Sequence, residues 1–205
     1  MYENNLSNKK VTFISSKRDS FFNIKDIYKY KDLIYLFVSR DFKVFYKQTI
    51  LGPIWYIFQP LLNSLVFTII FGNLASLPTD EIPPFIFYMS GTILWSYFSA
   101  TTMAVSGVFS SNKDLFGKIY FPRLTVPLSN AIINYLQFFI QFGILIIFIL
   151  YFYLQGFDFS FSYKLIFIIF LLIQLSMISI GFGCFFASLT YKYKDLSLLL
   201  SFGMQ

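Results

Sequence analysis

The sequence has no histidine, a single cysteine and few charges, which make up only 13% of its 205 residues. Without histidine there is no imidazole for acid–base catalysis or for a histidine-ligated metal site, and one cysteine cannot form an intrachain disulfide. We interpret Cys184, which lies in an apolar run, as a small apolar side chain. The first fifty residues carry many charges and no early apolar segment, so no cleavable signal peptide is predicted.

Apolar residues, by contrast, are abundant. The chain is 57% hydrophobic, with 29 phenylalanines and 15 tyrosines, and its mean hydropathy is +0.65. Soluble domains are about 45–50% apolar and about 25% charged. A soluble fold of this size could not keep so much apolar surface from water. The composition therefore predicts an integral membrane protein of the all-α, polytopic class.

Charge-free runs mark the predicted spans. They cover residues 49–79, 82–112, 124–157 and 165–191, and each exceeds the roughly 20 residues that cross a hydrocarbon core. We predict transmembrane helices at about 50–76, 84–110, 125–153 and 165–190. A fifth run, residues 196–205, reaches only about 15 Å as a helix. We expect it to be the start of a further span, truncated at residue 205.

Basic residues are distributed unevenly between these spans. Ten lie in residues 1–48, three in residues 111–123 and two at 192–194, while the only other one is Lys164. If the four spans alternate, nearly all positive charge lies on one side, which the positive-inside rule identifies as the cytoplasm. The N-terminus is therefore predicted to be cytoplasmic, and the net charge of +6 is a topology signal with no implication of nucleic-acid binding.

Residues 28–48 precede the first span and have a moderately amphipathic pattern. On a helical wheel a basic sector lies opposite an apolar one, although Leu36 and Asp41 interrupt the pattern. We predict a helix in the cytoplasmic membrane interface, the alternative being a solvated helix packed on other protein. Residues 1–27 are polar and expected to be loosely ordered, ahead of a membrane domain over residues 28–205. The basic sector contains Ser39, Arg40, Lys43 and Lys47, and the apolar sector contains Ile34, Val38, Phe42 and Phe45.

Polar side chains recur at helical spacing within two of the spans, the second and the third. Such groups need partners in protein or water, so these faces indicate either helix–helix hydrogen bonding or a polar conduit. In the fourth span, Ser179, Gly183 and Ala187 form a small-residue ladder that predicts close helix packing. One amide face comprises Asn130, Asn134, Gln137 and Gln141, and a hydroxyl face comprises Ser99, Thr102, Ser106 and Ser110.

The sequence contains no evident means of energising transport. There is no phosphate-binding G-x-x-x-x-G-K-[ST] motif, since Gly117 and Lys118 lack the earlier glycine and the following hydroxyl. No acid, base or cation lies near the middle of a predicted span, so neither an ion relay nor covalent catalysis can be assembled there. Energy for any active transport must come from a partner.

Three segments resemble the permease subunit of ABC-2 type transporters. They are "SRDFKVFYKQTILGPIWYIFQP" (39–60), "FGKIYFPRLTVP" (116–127) and "YKYKDL" (191–196). Within that group they are most similar to exporters of lipid-linked bacterial surface polysaccharides such as O-antigen, capsule or teichoic acid. The resemblance implies about six spans, a homodimer in the bacterial inner membrane, and two separate ATPase subunits. ATP and Mg²⁺ would then be bound by those partners, with no cofactor or enzymatic activity on this chain.

The resemblance also implies a role for the short basic patch between the second and third spans. In such permeases this turn is a coupling element that docks on the ATPase, with aromatic anchors, basic residues that pair with acidic groups, and a proline that stiffens the exit. The alternative is an ordinary basic cytoplasmic loop. The implied coupling residues are Lys113, Lys118, Tyr120, Phe121, Pro122 and Arg123. The same resemblance places the helix that carries Arg40, Lys43 and Lys47 beside the ATPase.

Aromatic residues of the first two spans are candidates for lining a glycan channel, because sugars stack on flat rings. The alternative is that they are interfacial anchors of the kind found in any membrane protein. These candidates are Trp55, Phe58, Tyr88, Trp95, Tyr97 and Phe98, together with the amide face at Asn130, Asn134, Gln137 and Gln141. Two other functions stay open at this stage, namely export of a drug or small amphiphile, and a membrane scaffold without transport activity.

Overall fold

The computed structural model describes residues 28–48, 54–79, 82–113, 116, 121–157 and 167–205. Across these ranges all regular structure is helical and no strand occurs, which confirms the predicted all-α class. The N-terminal region 1–27, predicted to be loosely ordered, lies outside the described residues.

Proline and glycine mark the limits of the central helix. Pro83 caps the third helix and Pro84 begins it, where the fixed φ of proline suits the first turn. Gly107 separates that helix from a single further turn. The elements are α1 (Lys31–Gln48), α2 (Ile54–Phe67), a π-helical continuation of α2 (Thr68–Leu74), α3 (Pro84–Ser106), α4 (Val108–Ser111), α5 (Thr125–Leu154), α6 (Phe167–Lys192) and α7 (Asp195–Gly203).

Three helical segments in the described part of the chain are long and apolar enough to cross a membrane. They are Ile54–Leu74, Thr125–Leu154 and Phe167–Lys192, and each matches a predicted span to within a few residues. The remaining predicted span, the second at residues 84–110, does contain the 23-residue helix α3. This helix is less apolar than the other three because serine and threonine recur along it. Its crossing of the membrane stays a prediction.

Helix α3 is the centre of the bundle and packs against α2, α5 and α6. The main apolar core joins Met89, Ile93 and Tyr97 of α3 to Phe138 of α5 and Leu172 of α6. Among the four helices that correspond to predicted spans, α3 is thus both the least apolar and the most enclosed by protein. Its hydroxyl groups are therefore placed where neighbouring helices can satisfy them.

The crossing of α3 and α6 depends on small side chains. Ser179, Gly183 and Ala187 are all buried there, and the Thr102 hydroxyl donates to the Ser179 carbonyl over 3.5 Å. A Cβ atom on Gly183 would lie only 2.6 Å from the Val105 Cβ. The close packing predicted from this ladder is confirmed.

Candidate coupling site and polar helix faces

Helix α1 packs against α5 and the connection that leads into it. The contact is an aromatic cluster in which the Phe121 ring centroid lies 6.0 Å from that of Phe37 and 5.3 Å from that of Phe116. Val108 and Val126 complete its buried part. We call this the cytoplasmic-end cluster, after the predicted topology. It joins the predicted interface helix to the predicted coupling element through side chains of a single chain.

Phe121, predicted as an anchor for a partner pocket, is instead enclosed by its own chain. Only 6% of the residue is exposed, because α1 covers the ring. The residue that covers it, Phe37, was missed by the sequence analysis, although its i, i+4 spacing from Leu33 could have revealed it. Phe42 was assigned to the apolar sector of α1, yet it is 46% exposed.

The basic residues of the coupling element have a different placement. Lys113 and Arg123 are exposed, and Pro122 is half-buried. Lys118 and Tyr120 lie outside the described residues. The groups that this segment presents to a partner therefore include two cations whose side chains are not engaged in the described part of the fold. Their part in coupling stays a prediction.

The predicted interface cations of α1 differ in how far the described residues engage them. The Arg40 Nε donates to the Asp41 carboxylate over 2.6 Å, and the Arg40 Cζ lies 5.1 Å from the Phe37 ring centroid. Lys43 is exposed, whereas the side chain of Lys47 lies outside the described residues. An exposed ion pair contributes little stability, so the contact with Phe37 chiefly orients the guanidinium.

The amide face of α5 points toward α2 and α3. Asn130 Nδ2 donates to the Ala104 carbonyl over 3.3 Å, and Asn134 Nδ2 donates to the Thr101 Oγ1 over 3.1 Å. Gln141 Nε2, on a residue that is 1% exposed, donates to the Tyr56 carbonyl over 3.2 Å. For these three residues the geometry favours helix–helix hydrogen bonding over a conduit. Gln137 is half-buried, and the described residues offer it no hydrogen-bond partner.

Residues of the hydroxyl face of α3 have partners on α6 and at the end of α7. The Thr190 hydroxyl of α6 donates to the Ser106 carbonyl over 3.1 Å, next to the Thr102 contact already described. Ser99 donates to the Met204 carbonyl over 3.3 Å, and Ser110 is exposed. Hydrogen bonds thus link α3 to α5 on one side and to α6 on another.

The aromatic candidates do not converge on one surface of this chain. Tyr97 is 3% exposed and stacks on Tyr135, with 4.8 Å between ring centroids. It lies inside the bundle, away from any lumen that a single chain could border. Trp55 and Phe58 are exposed on α2, with their ring centroids 6.2 Å apart.

The remaining candidates, Tyr88, Trp95 and Phe98, also lie on α3. Trp95 is exposed and its Nε1 donates to the Met204 carbonyl over 3.2 Å. Phe98, half-buried, lies beside Trp95, and Tyr88 lies beside Phe71 with ring centroids 6.1 Å apart. Channel lining by any of these residues stays a prediction.

A sequence profile described as "ABC-2 type transporter" matches residues 32–205, which is most of the chain and includes every helix just described. The chain belongs to the ABC-2 type transporter family. The resemblance seen in the three short segments is therefore confirmed over nearly the whole length of this family member.

Curated relatives of this ABC-2 protein have a common name. Two from Klebsiella pneumoniae, called "O-antigen export system permease protein RfbA", are 26% and 28% identical over 174 residues, covering 84% of this chain and 64% of each relative. A Myxococcus xanthus protein of the same name is 27% identical over 125 residues, covering 60% of this chain and 47% of its own length. The chain thus spans a little under two thirds of the length of the Klebsiella relatives.

The hydrogen bond between Asn134 and Thr101 gives a first test of the polar contacts in this ABC-2 protein. We expect a double-mutant cycle with Asn134→Leu and Thr101→Val to yield a coupling energy of about 0.6 kcal/mol, the average for hydrogen bonds between membrane helices. Unfolding free energies in mixed micelles supply the four corners of the cycle. The matched control pairs Gln137→Leu with Thr101→Val and should show no coupling. Equal coupling in both cycles would contradict a specific interhelical bond.

Proposed function

We propose that this chain is the permease subunit of an ATP-driven exporter that moves a lipid-linked surface polysaccharide across the bacterial inner membrane. The observation that carries the proposal is the family match over residues 32–205, taken with relatives that are named O-antigen export permeases. ATP would be hydrolysed by a separate ATP-binding subunit, and two copies of the permease would form the channel. O-antigen, capsule and teichoic acid share the required chemistry, a long hydrophilic glycan on a membrane lipid.

The proposed topology has α2, α3, α5 and α6 crossing the membrane with the N-terminus in the cytoplasm. The distribution of basic residues supports this arrangement, since residues 28–48, the 111–123 connection and the 192–194 turn then share one side. Under this topology α7 begins a further span. The cytoplasmic-end cluster, Lys113 and Arg123 then face the ATPase together.

The way in which the connection between α4 and α5 is supported favours the proposed coupling role. Phe121 fixes the end of the connection to Phe37 of α1, and Val126 begins α5 within the same cluster. A displacement applied at the exposed Lys113 and Arg123 is thus passed to α1 and α5 through packed side chains, which resist compression. The segment acts as a lever whose rigid part lies inside the chain and whose charged part faces the partner.

Charge reversal at the two exposed cations tests this proposal. We expect Lys113→Glu combined with Arg123→Glu to lower affinity for the ATP-binding subunit at least about tenfold, because each carboxylate would face acidic groups of the partner. The measurement is co-purification of the ATPase with the full-length permease, alongside surface export of the glycan. Both positions are exposed, so the melting temperature of the isolated permease should be unchanged.

A matched control is available at the next cytoplasmic turn. Lys192→Glu combined with Lys194→Glu makes the same charge change at two exposed residues and is expected to leave ATPase association intact. Equal loss in both double variants would point to a general charge effect. No loss in either would favour a scaffold without transport. Loss of the gene should also leave lipid-linked glycan inside the cell. If the protein instead exports small amphiphiles, loss of the gene would leave the surface display of the glycan unchanged.

A further inference from the structure

A cleft of about 510 Å³ lies where α1 meets the end of α3, α4 and the start of α5. Its volume falls within the range of roughly 300–1,000 Å³ that is typical of small-molecule sites. We call it the α1 cleft. It is lined by Arg40, Asp41, Ala104, Val108, Ser111, Asn112 and Asn130.

The depth of the α1 cleft follows from the positions of its lining residues in the chain. Ala104 and Asn112 lie toward the end of the charge-free run 82–112, and Asn130 lies six residues into the run 124–157. In a membrane, the ends of such runs lie at the level of the lipid headgroups, whichever side they are on. The cleft therefore opens at the depth where phosphate groups of lipids are found.

The lining of the α1 cleft is rich in hydrogen-bond donors. Arg40 uses its Nε on Asp41, and no described residue accepts from its two Nη amino groups. Asn112 and Asn130 each give one amide N–H to a backbone carbonyl, which leaves a second N–H on each side chain. The Ser111 hydroxyl adds a further donor. Such a set suits a ligand with several acceptor oxygens, of which phosphate is the commonest in a membrane.

The charge balance determines which phosphate groups fit. Asp41 offsets Arg40 within the α1 cleft, so the additional positive charge comes from exposed neighbours. Lys43 lies three residues beyond Arg40 on α1, and Lys113 follows Asn112 directly. The Arg40 guanidinium lies over the Phe37 ring, and its two Nη groups are left for a two-pronged contact with oxygen.

From this geometry we infer that the α1 cleft binds the phosphate group at the head of a membrane lipid. Under the proposed function, that lipid is the polyisoprenoid carrier of the exported glycan, and only this identity rests on the proposed function. Arg40 is the principal contact, with Asn112 and Asn130 as orienting donors. The cleft would hold the phosphate at the membrane surface while the attached glycan is presented to the channel.

The test compares two lipids that differ only in the phosphate. Full-length protein in nanodiscs is titrated with a polyprenyl phosphate and with the neutral polyprenol of the same chain length. We expect the phosphate form to bind at least about tenfold more tightly, which corresponds to one charge-assisted hydrogen bond. Arg40→Gln should lower that preference about tenfold, whereas the control Lys31→Gln, at the exposed start of the same helix, should change it less than about twofold.

Three results would overturn the inference. The first is equal binding of phosphate lipid and polyprenol, and the second is equal impairment by Arg40→Gln and Lys31→Gln, which would indicate only general surface attraction. The third is Arg40-dependent binding of inorganic phosphate as tight as that of the lipid, which would assign the cleft to free phosphate.

The same variants separate this inference from the proposed function. If phosphate-lipid binding fails while the ATP-binding subunit still associates and glycan is exported, only the inference falls. If Arg40-dependent lipid binding holds while no ATPase associates with the wild type, the proposed function falls and the lipid site stands.

Discussion

Gly183→Leu is expected to destabilise the helix bundle by about 3 kcal/mol, the upper part of the usual range for overpacking. A Cβ atom at this position would lie 2.6 Å from the Val105 Cβ and 3.1 Å from the Thr102 carbonyl oxygen. The carbonyl belongs to the α3 backbone and cannot rotate away, so α3 and α6 would have to separate. Unfolding free energies in mixed micelles measure the effect, and under the proposed function loss of export should follow from it.

Gly181, which lies two residues before Gly183 on α6, provides the control. A Cβ at Gly181 would meet nothing within 4 Å, so Gly181→Leu is expected to change stability by no more than about 0.5 kcal/mol. A similar loss for both variants would show that glycine itself, rather than the close crossing, supports the helix. A similar retention for both would mean that α3 and α6 do not pack this closely in the membrane.

Phe121→Ala is the second change with a large expected effect. Because the ring is buried in the cytoplasmic-end cluster, its removal from the isolated permease should cost about 3 kcal/mol of unfolding free energy. Phe42→Ala, on the exposed side of α1, is the control and should cost no more than about 0.5 kcal/mol. A cycle with Phe37→Ala should return a coupling energy of about 1 kcal/mol for the ring pair.

The opposite pattern would restore the role that the sequence predicts for this phenylalanine. If Phe121→Ala leaves the isolated permease as stable as the wild type but abolishes ATPase association, its ring fills a pocket of the partner. Stability and association are thus measured separately, since a destabilised permease loses its partner as a secondary consequence.

Helix positions in this protein are readable from sequence because membrane thickness sets their length. The run 124–157 predicts a helix at about 125–153 and the structure has Thr125–Leu154, and the prediction at 165–190 is matched by Phe167–Lys192. Which residues share a face is equally predictable, since Asn130, Asn134 and Gln141 follow from a 3.6-residue period alone. The period does not specify the helix that lies opposite.

The sequence does not specify which neighbouring helix each of these side chains contacts. The amide of Gln141 contacts α2, whereas those of Asn130 and Asn134 contact α3, and this difference depends on how three helices are arranged around one another. Phe121 illustrates the same limit. An aromatic residue in a cytoplasmic loop suits a partner pocket or an internal one equally well, and only the position of α1 decides between them.

The end of α2 departs from the period on which such patterns depend. From Thr68 to Leu74 the helix is π-helical, and the Ala75 N–H donates to the Ile70 carbonyl, five residues back. Upstream, the hydroxyls of Ser64 and Thr68 donate to carbonyls four residues earlier, starting at Pro60. Faces assigned on one wheel for residues 49–79 therefore lose phase beyond residue 67.

The central position of α3 has a consequence for how the protein is made. A helix with this many hydroxyl groups partitions weakly into lipid on its own, and the neighbours that satisfy those groups include α5 and α6. Both are synthesised after α3. If α3 crosses the membrane as predicted, we therefore expect its insertion to become stable only after α5 and α6 have been made, so that substitutions on those later helices would alter the topology of α3.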